Sequence, residues 1–134
     1  MTYQINGSTI IDTSYRVLNA EGIQYTTPTL SASGNVTYNL NSQSVYRVTV
    51  TGSSHAFTFT NLPANGNFRV WQLYIIQGNT TARSYSFQSG AVKWTDGIEP
   101  ALSPSTLNLV DVLTFCCYDG STVIGNHTMT RVSG

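Results

Sequence analysis

The chain has 134 residues, 40% of them hydrophobic but only 9% charged, with six basic residues balancing six acidic ones. That length suits one ordinary domain, able to bury roughly two thirds of its unfolded surface without metals or disulfides. Its basic residues, Arg16, Arg47, Arg69, Arg83, Lys93 and Arg131, are scattered singly and offer no stripe to neutralise phosphates; no apolar run nears the roughly 18 residues of a membrane-spanning helix, and no signal-peptide pattern follows Met1.

Neither nucleic acid nor a membrane is therefore an expected partner. Sparse charge with no net excess also removes the self-repulsion that normally holds copies of a soluble protein apart. The composition points to a chain that lives in an assembly, as a homo-oligomer (dimer or trimer).

Residues 1–34 are polar and broken by turn formers, Asn6-Gly7, Glu21-Gly22, Pro28 and Ser33-Gly34, and they lack the periodicity of a helix. An extended N-terminal arm is expected there. Chain ends stay loose unless something ties them down, so the arm is expected to grip a partner, with Ile5, Ile10, Ile11, Tyr15, Arg16 and Leu18 as its candidate contacts. From Asn35 the pattern turns to period-two alternation: Val36, Tyr38 and Leu40; Tyr46, Val48 and Val50; Phe57 and Phe59. A turn at 61–66 precedes a longer strand from Phe68 to Gln77. Two short strands, Ser84 to Phe87 and Ala91 to Trp94, lead into a loop over 95–106.

From Val110 to Tyr118 nearly every side chain on both alternating sets is apolar or small, and only Asp111 breaks the run, which marks a strand near the middle of a sheet. Asp119-Gly120 is expected to supply the positive φ angles of a tight hairpin turn, with Val123-Ile124 starting the return. Seven or eight short strands with frequent turn signals predict an all-β fold, an antiparallel, jelly-roll-like β-sandwich over 35–134.

Residues that could carry chemistry are few. Cys116 and Cys117 are adjacent in a predicted strand, where neighbouring side chains point to opposite faces, so they read as free thiols. Cys116 with His127 is the one conceivable nucleophile and base, but a thiol among apolar residues stays protonated. Asp96 and Glu99 flank a glycine without an announced cleft, and neither a zinc spacing nor a phosphate loop is present. No catalytic residue, metal or cofactor is expected. Four Asn-x-Ser/Thr sequons, at Asn6, Asn35, Asn79 and Asn126, carry little weight in a chain so rich in these residues. Trp94 reads as a core anchor, with sugar stacking as its sharper alternative. Asp111 is expected to accept hydrogen bonds from Lys93 or from the 95–106 loop, because an unpaired carboxylate inside an apolar strand is costly. Gly97 and Gly120 read as turn positions.

Taken together, Ala91-Val92-Lys93-Trp94-Thr95-Asp96-Gly97-Ile98-Glu99-Pro100, then Leu102-Ser103, then Val110-Asp111-Val112-Leu113-Thr114-Phe115 and Tyr118-Asp119-Gly120, resemble the C-terminal module of tail-fibre and other structural proteins of tailed bacteriophages. Phe57-Thr58-Phe59-Thr60-Asn61-Leu62-Pro63 is similar to an upstream segment of the same family, and residues 6–19 to its N-terminal phrase, with Tyr15 inserted and Ser121 where the family has a second glycine. The resemblance implies a virion structural protein whose partner is the major capsid protein or another virion protein, located on the capsid surface or on the tail. It implies structural roles for Lys93, Trp94, Gly97, Pro100, Asp111, Phe115, Asp119 and Gly120. Fibre proteins of this kind carry a long shaft ahead of the module, whereas only the short arm precedes it here, so a capsid decoration or cement protein is the first expectation. A tail- or head-fibre module binding host-surface carbohydrate is the second.

Overall fold

A computed structural model describes residues 3–5, 8–11, 29–88, 91–103 and 105–132. Its backbone is built almost wholly of strands: β1 (Tyr3–Ile5), β2 (Ser8–Ile11), β3 (Thr29–Ala32), β4 (Val36–Asn39), β5 (Val45–Val50), β6 (Ser54–Thr60), β7 (Arg69–Gln77), β8 (Ser84–Phe87), β9 (Val92–Trp94), β10 (Val110–Cys117) and β11 (Val123–Val132). A 3₁₀ turn, Thr95–Gly97, follows β9. The alternation from Val36 onward is explained by burial: Tyr46, Val48 and Val50 on β5, and Trp71, Leu73 and Ile75 on β7, all turn inward while the residues between them do not.

Among the described residues three sheets result: the β1-β2 hairpin, a six-stranded sheet in the order β3-β5-β7-β10-β11-β9, and a three-stranded sheet in the order β4-β6-β8. The expected antiparallel pairing is corrected here. Among the described strands five pairings are parallel, β3-β5, β4-β6, β5-β7, β6-β8 and β9-β11, and only three are antiparallel, so the sheets are mixed. The cause is that from β3 to β8 each strand crosses to the opposite sheet and the next returns beside its predecessor. Parallel neighbours need a crossover connection, and here a strand of the facing sheet serves as that crossover. The chain thus winds in flattened coils. Successive corners stack: Thr51 N–H donates to Ala32 O and Gly78 N–H to Val50 O, both at 2.9 Å. The buried imidazole of His55 spans two of these corners, with Nδ1 2.8 Å from Gly34 O and Nε2 3.2 Å from Gly52 O.

β10 lies on β7 where a further coil would continue, but runs antiparallel to it and hairpins into β11, as its apolar character on both faces predicts for an interior strand. The inner faces of the two larger sheets share one core, dominated by aromatic rings. Phe115 is its hub: its centroid lies 4.8 Å from Phe59, 5.8 Å from Trp71, 5.9 Å from Phe87 and 5.8 Å from Trp94.

Two features of the N-terminal segment differ from a simple arm. Thr29–Ala32 is the edge strand of the six-stranded sheet, paired with Arg47–Val50, so the coil begins before residue 35. Nearer the start, Tyr3 pairs with Ile11 and Ile5 with Ser8, a short hairpin in place of a fully extended run. Ile5, Ile10 and Ile11 belong to that hairpin, whereas Tyr15, Arg16 and Leu18 lie outside the described residues.

Candidate functional site

The residues singled out toward the C-terminus converge on one end of the six-stranded sheet. Register aligns Trp71, Phe115, Gly125 and Trp94 in a row across β7, β10, β11 and β9. Gly125 is what lets the half-buried indole of Trp94 lie over the row: a Cβ at that position would come within 2.5 Å of Trp94 Cζ3. Trp94 then meets Phe87 of the facing sheet edge-on at 5.3 Å and Phe115 edge-on at 5.8 Å.

Asp111 is fully buried, and the loop anchors it: Ser103 N–H donates to Asp111 Oδ2 at 2.8 Å. Lys93 plays no comparable part, since it sits opposite Ile124 on the outer face, exposed. His127 Nε2 stands 3.4 Å from Asp111 Oδ1, within ion-pair distance when the ring is charged but off the line of a hydrogen bond. Beside this carboxylate runs a polar chain that the sequence did not announce. Gln77 Nε2 donates to the Tyr85 hydroxyl at 2.7 Å, Arg83 donates to Gln77 Oε1 at 2.6 Å, and Arg83 also reaches Asn79 Oδ1. Burial pushes the Tyr85 phenol above its ordinary range, against the opposing pull of the Gln77 bond and the Arg83 charge. The only sequence signal for this cluster was a glutamine at an inward position of β7.

Ser103, His127 and Asp111 are not aligned as a Ser-His-Asp relay. Ser103 is fully buried and its Oγ has no partner in the structure, while the imidazole turns Nε2 toward the carboxylate instead of toward the hydroxyl. Cys116 and His127 cannot form a dyad either: Cys116 alternates with the core residues Phe115 and Cys117 and points outward, whereas His127 pairs with Leu113 and points inward. Burial, with Cys117 adjacent, also pushes the Cys116 thiol above its ordinary range. What the cluster does is pin the 95–106 loop to β10. No protein-family model, curated protein or solved structure matches the chain.

The turn residues have local jobs. Gly97 has φ +71 and Gly120 φ +80, both in the left-handed region. Asp119 does not share that geometry, contrary to the expected two-residue turn; the loop is longer, and its carboxylate accepts Ser121 N–H at 2.9 Å and Thr122 N–H at 2.6 Å. Bonds from the Thr122 side chain, then from the Thr122 and Ser121 backbone, hold the Asp119 carboxyl down to about 2. Pro100 is half-buried in the loop.

At the other end of the fold, where β3 and β4 are the sheet edges, a groove of about 470 Å³ opens between the sheets, lined by Leu30, Thr37, Tyr38, Asn39, Ser42, Gln43, Tyr46 and Arg47. The Tyr38 hydroxyl is buried there without a hydrogen-bond partner, and burial, with Tyr46 beside it, pushes that phenol well above its ordinary range. Among the described residues no group of three or more His, Cys, Asp or Glu side chains could hold a metal ion, and no helix is long and apolar enough to cross a membrane.

Proposed function

We propose that this chain is a structural protein of a tailed-bacteriophage virion, a decoration or cement protein that binds the major capsid protein of the assembled shell through its N-terminal arm and docks as a homo-oligomer. The observation that carries the reading is where the resembling segments lie: Trp94, Phe115 and Phe59, far apart in sequence, pack in one ring cluster, and Asp111 on the same strand as Phe115 holds the 95–106 loop through Ser103 N–H. The finer fold reading is a two-layer β-sandwich whose N-terminal half is coiled, with the arm ahead of it. The role needs no catalytic group, only a rigid body and an adhesive segment.

A ligand that binds the assembled shell but not its separated subunits stabilises the shell by about 2.7 kcal/mol per copy at a hundredfold excess over its dissociation constant. Particles lacking the protein are expected to assemble and adsorb normally but to burst at lower temperature or on milder osmotic shock. Unchanged particle strength with adsorption lost would overturn this reading. It would favour the fibre alternative, for which the groove is the supporting feature: Asn39, Gln43 and Arg47 along it offer polar contacts, as a sugar requires.

A further inference from the structure

The outer faces of the two packed sheets differ in kind. On the three-stranded sheet the outward positions Thr37, Ala56, Thr58, Thr60, Ser84 and Ser86 are small or polar, as a solvated face should be. On the six-stranded sheet the outward positions include Val70, Tyr74, Ile76, Cys116, Ile124 and Met129, with Val70, Ile124 and Met129 exposed. Among the residues whose side chains are described, its charges are Arg47 and Lys93, one on each flank.

We infer that this face is a self-association surface, on which two copies pack sheet against sheet about a two-fold axis parallel to the strands, so that β7 of one copy lies on β10 of the other. It gives the oligomer of the proposed function a specific face, and rests on that reading only in supposing that copies meet. Three observations select a second copy as the occupant. The first is area. Six strands about 4.8 Å apart, about seven residues long on average and rising about 3.3 Å per residue, offer roughly 600 Å² per copy; a stable interface takes about 800 Å² per partner, so the pair falls at the weak end of specific dimers. The second is charge, since six positive and six negative residues leave no net repulsion between copies.

The third is register. Rows run straight across the midline: Val70 with Cys116, Gln72 with Thr114, Tyr74 with Val112, which is itself buried, and Ile76 with Val110. An axis along the strands keeps every residue at its own height. It therefore sets apolar rows on apolar rows and Gln72 on the partner's Thr114, and it places Lys93 over β3, a strand that carries no cation. An axis across the strands would instead lay the Gln72 row on the Tyr74 row.

The test is sedimentation of the full chain over a concentration series reaching about 300 µM, where an interface of this size is expected to show a monomer–dimer equilibrium. Val70→Glu should weaken the dimer at least a hundredfold, while Thr58→Glu, on the polar face, should leave it unchanged; melting curves of both establish that they fold. Cys116→Lys alone should also be monomeric, yet mixing it with Val70→Glu should restore a heterodimer, because position 70 faces position 116 of the other copy. A wild-type chain monomeric throughout, a Val70→Glu dimer as tight as wild type, or a mixture that stays monomeric would overturn the inference. Because sedimentation uses no particles, its failure is distinguishable from failure of shell binding.

Discussion

Replacing Phe115 by alanine removes the hub of the aromatic core. The side chain is fully buried and has four aromatic neighbours within 6 Å, two on its own sheet at Trp71 and Trp94 and two on the facing sheet at Phe59 and Phe87. Returning a phenyl group to water forfeits about 2 kcal/mol of transfer energy. If roughly 100 Å³ of the vacated space persists, the cavity adds about 2.4 kcal/mol at about 24 cal/mol per Å³. The total, about 4–5 kcal/mol, is a large share of the stability of a small domain. With an unfolding entropy near 2.1 cal/mol/K per residue, a 134-residue chain loses about 14–18 °C in melting temperature. Chemical denaturation with an unchanged slope measures the loss directly, and Phe115→Leu, which fills most of the space, should cost less than half as much. A loss below about 1.5 kcal/mol for the alanine variant would mean that Phe115 is not the joint between the sheets.

Gly125→Ala should cost about 1–3 kcal/mol by driving a methyl into the Trp94 ring, visible as a lower melting temperature and altered tryptophan fluorescence. Asp111→Ala strands the buried Ser103 N–H and should cost about 2–3 kcal/mol, with faster proteolysis in the 95–106 loop, whereas His127→Ala should leave that loop protected. For Asp119, the folded carboxyl is held down to about 2, below its unfolded value, so its contribution is present above the ordinary carboxylate range and is lost as pH falls through about 2. Acid titration of Asp119→Asn should therefore show less loss of stability than wild type between about pH 4 and 2; parallel curves would refute the assignment.

Burial was legible because it belongs to one residue at a time. Tyr46, Val48 and Val50 alternate with polar neighbours whatever strand they pair with, and their inward turn follows from that pattern alone. Pairing belongs to two segments, and nothing in an alternating run says whether its neighbour is parallel. The short connections at 33–35 and 51–53 resemble hairpin turns in composition, yet they carry the chain around a corner into the other sheet. Asp111 was readable as a carboxylate in need of a donor, and the loop supplies one through Ser103. His55, Arg83 and Tyr85 were not readable, since each sits among ordinary strand residues and gains its partners only when distant corners stack.

The coiled half of the fold is a short repeat stack with unequal ends. In such a stack each rung leans mainly on its neighbours, so stability is handed along it and not shared equally. At one end β3 and β4 are the edge strands, while at the other β7 is followed by β10, β11 and the edge strand β9, packed on a ring cluster contributed by both layers. Opening is therefore directional: amide hydrogens of β3 and β4 should exchange with solvent through local fraying, and those of β7 and β10 only through global unfolding. A protein built this way can loosen one end to meet a partner while the other keeps its shape.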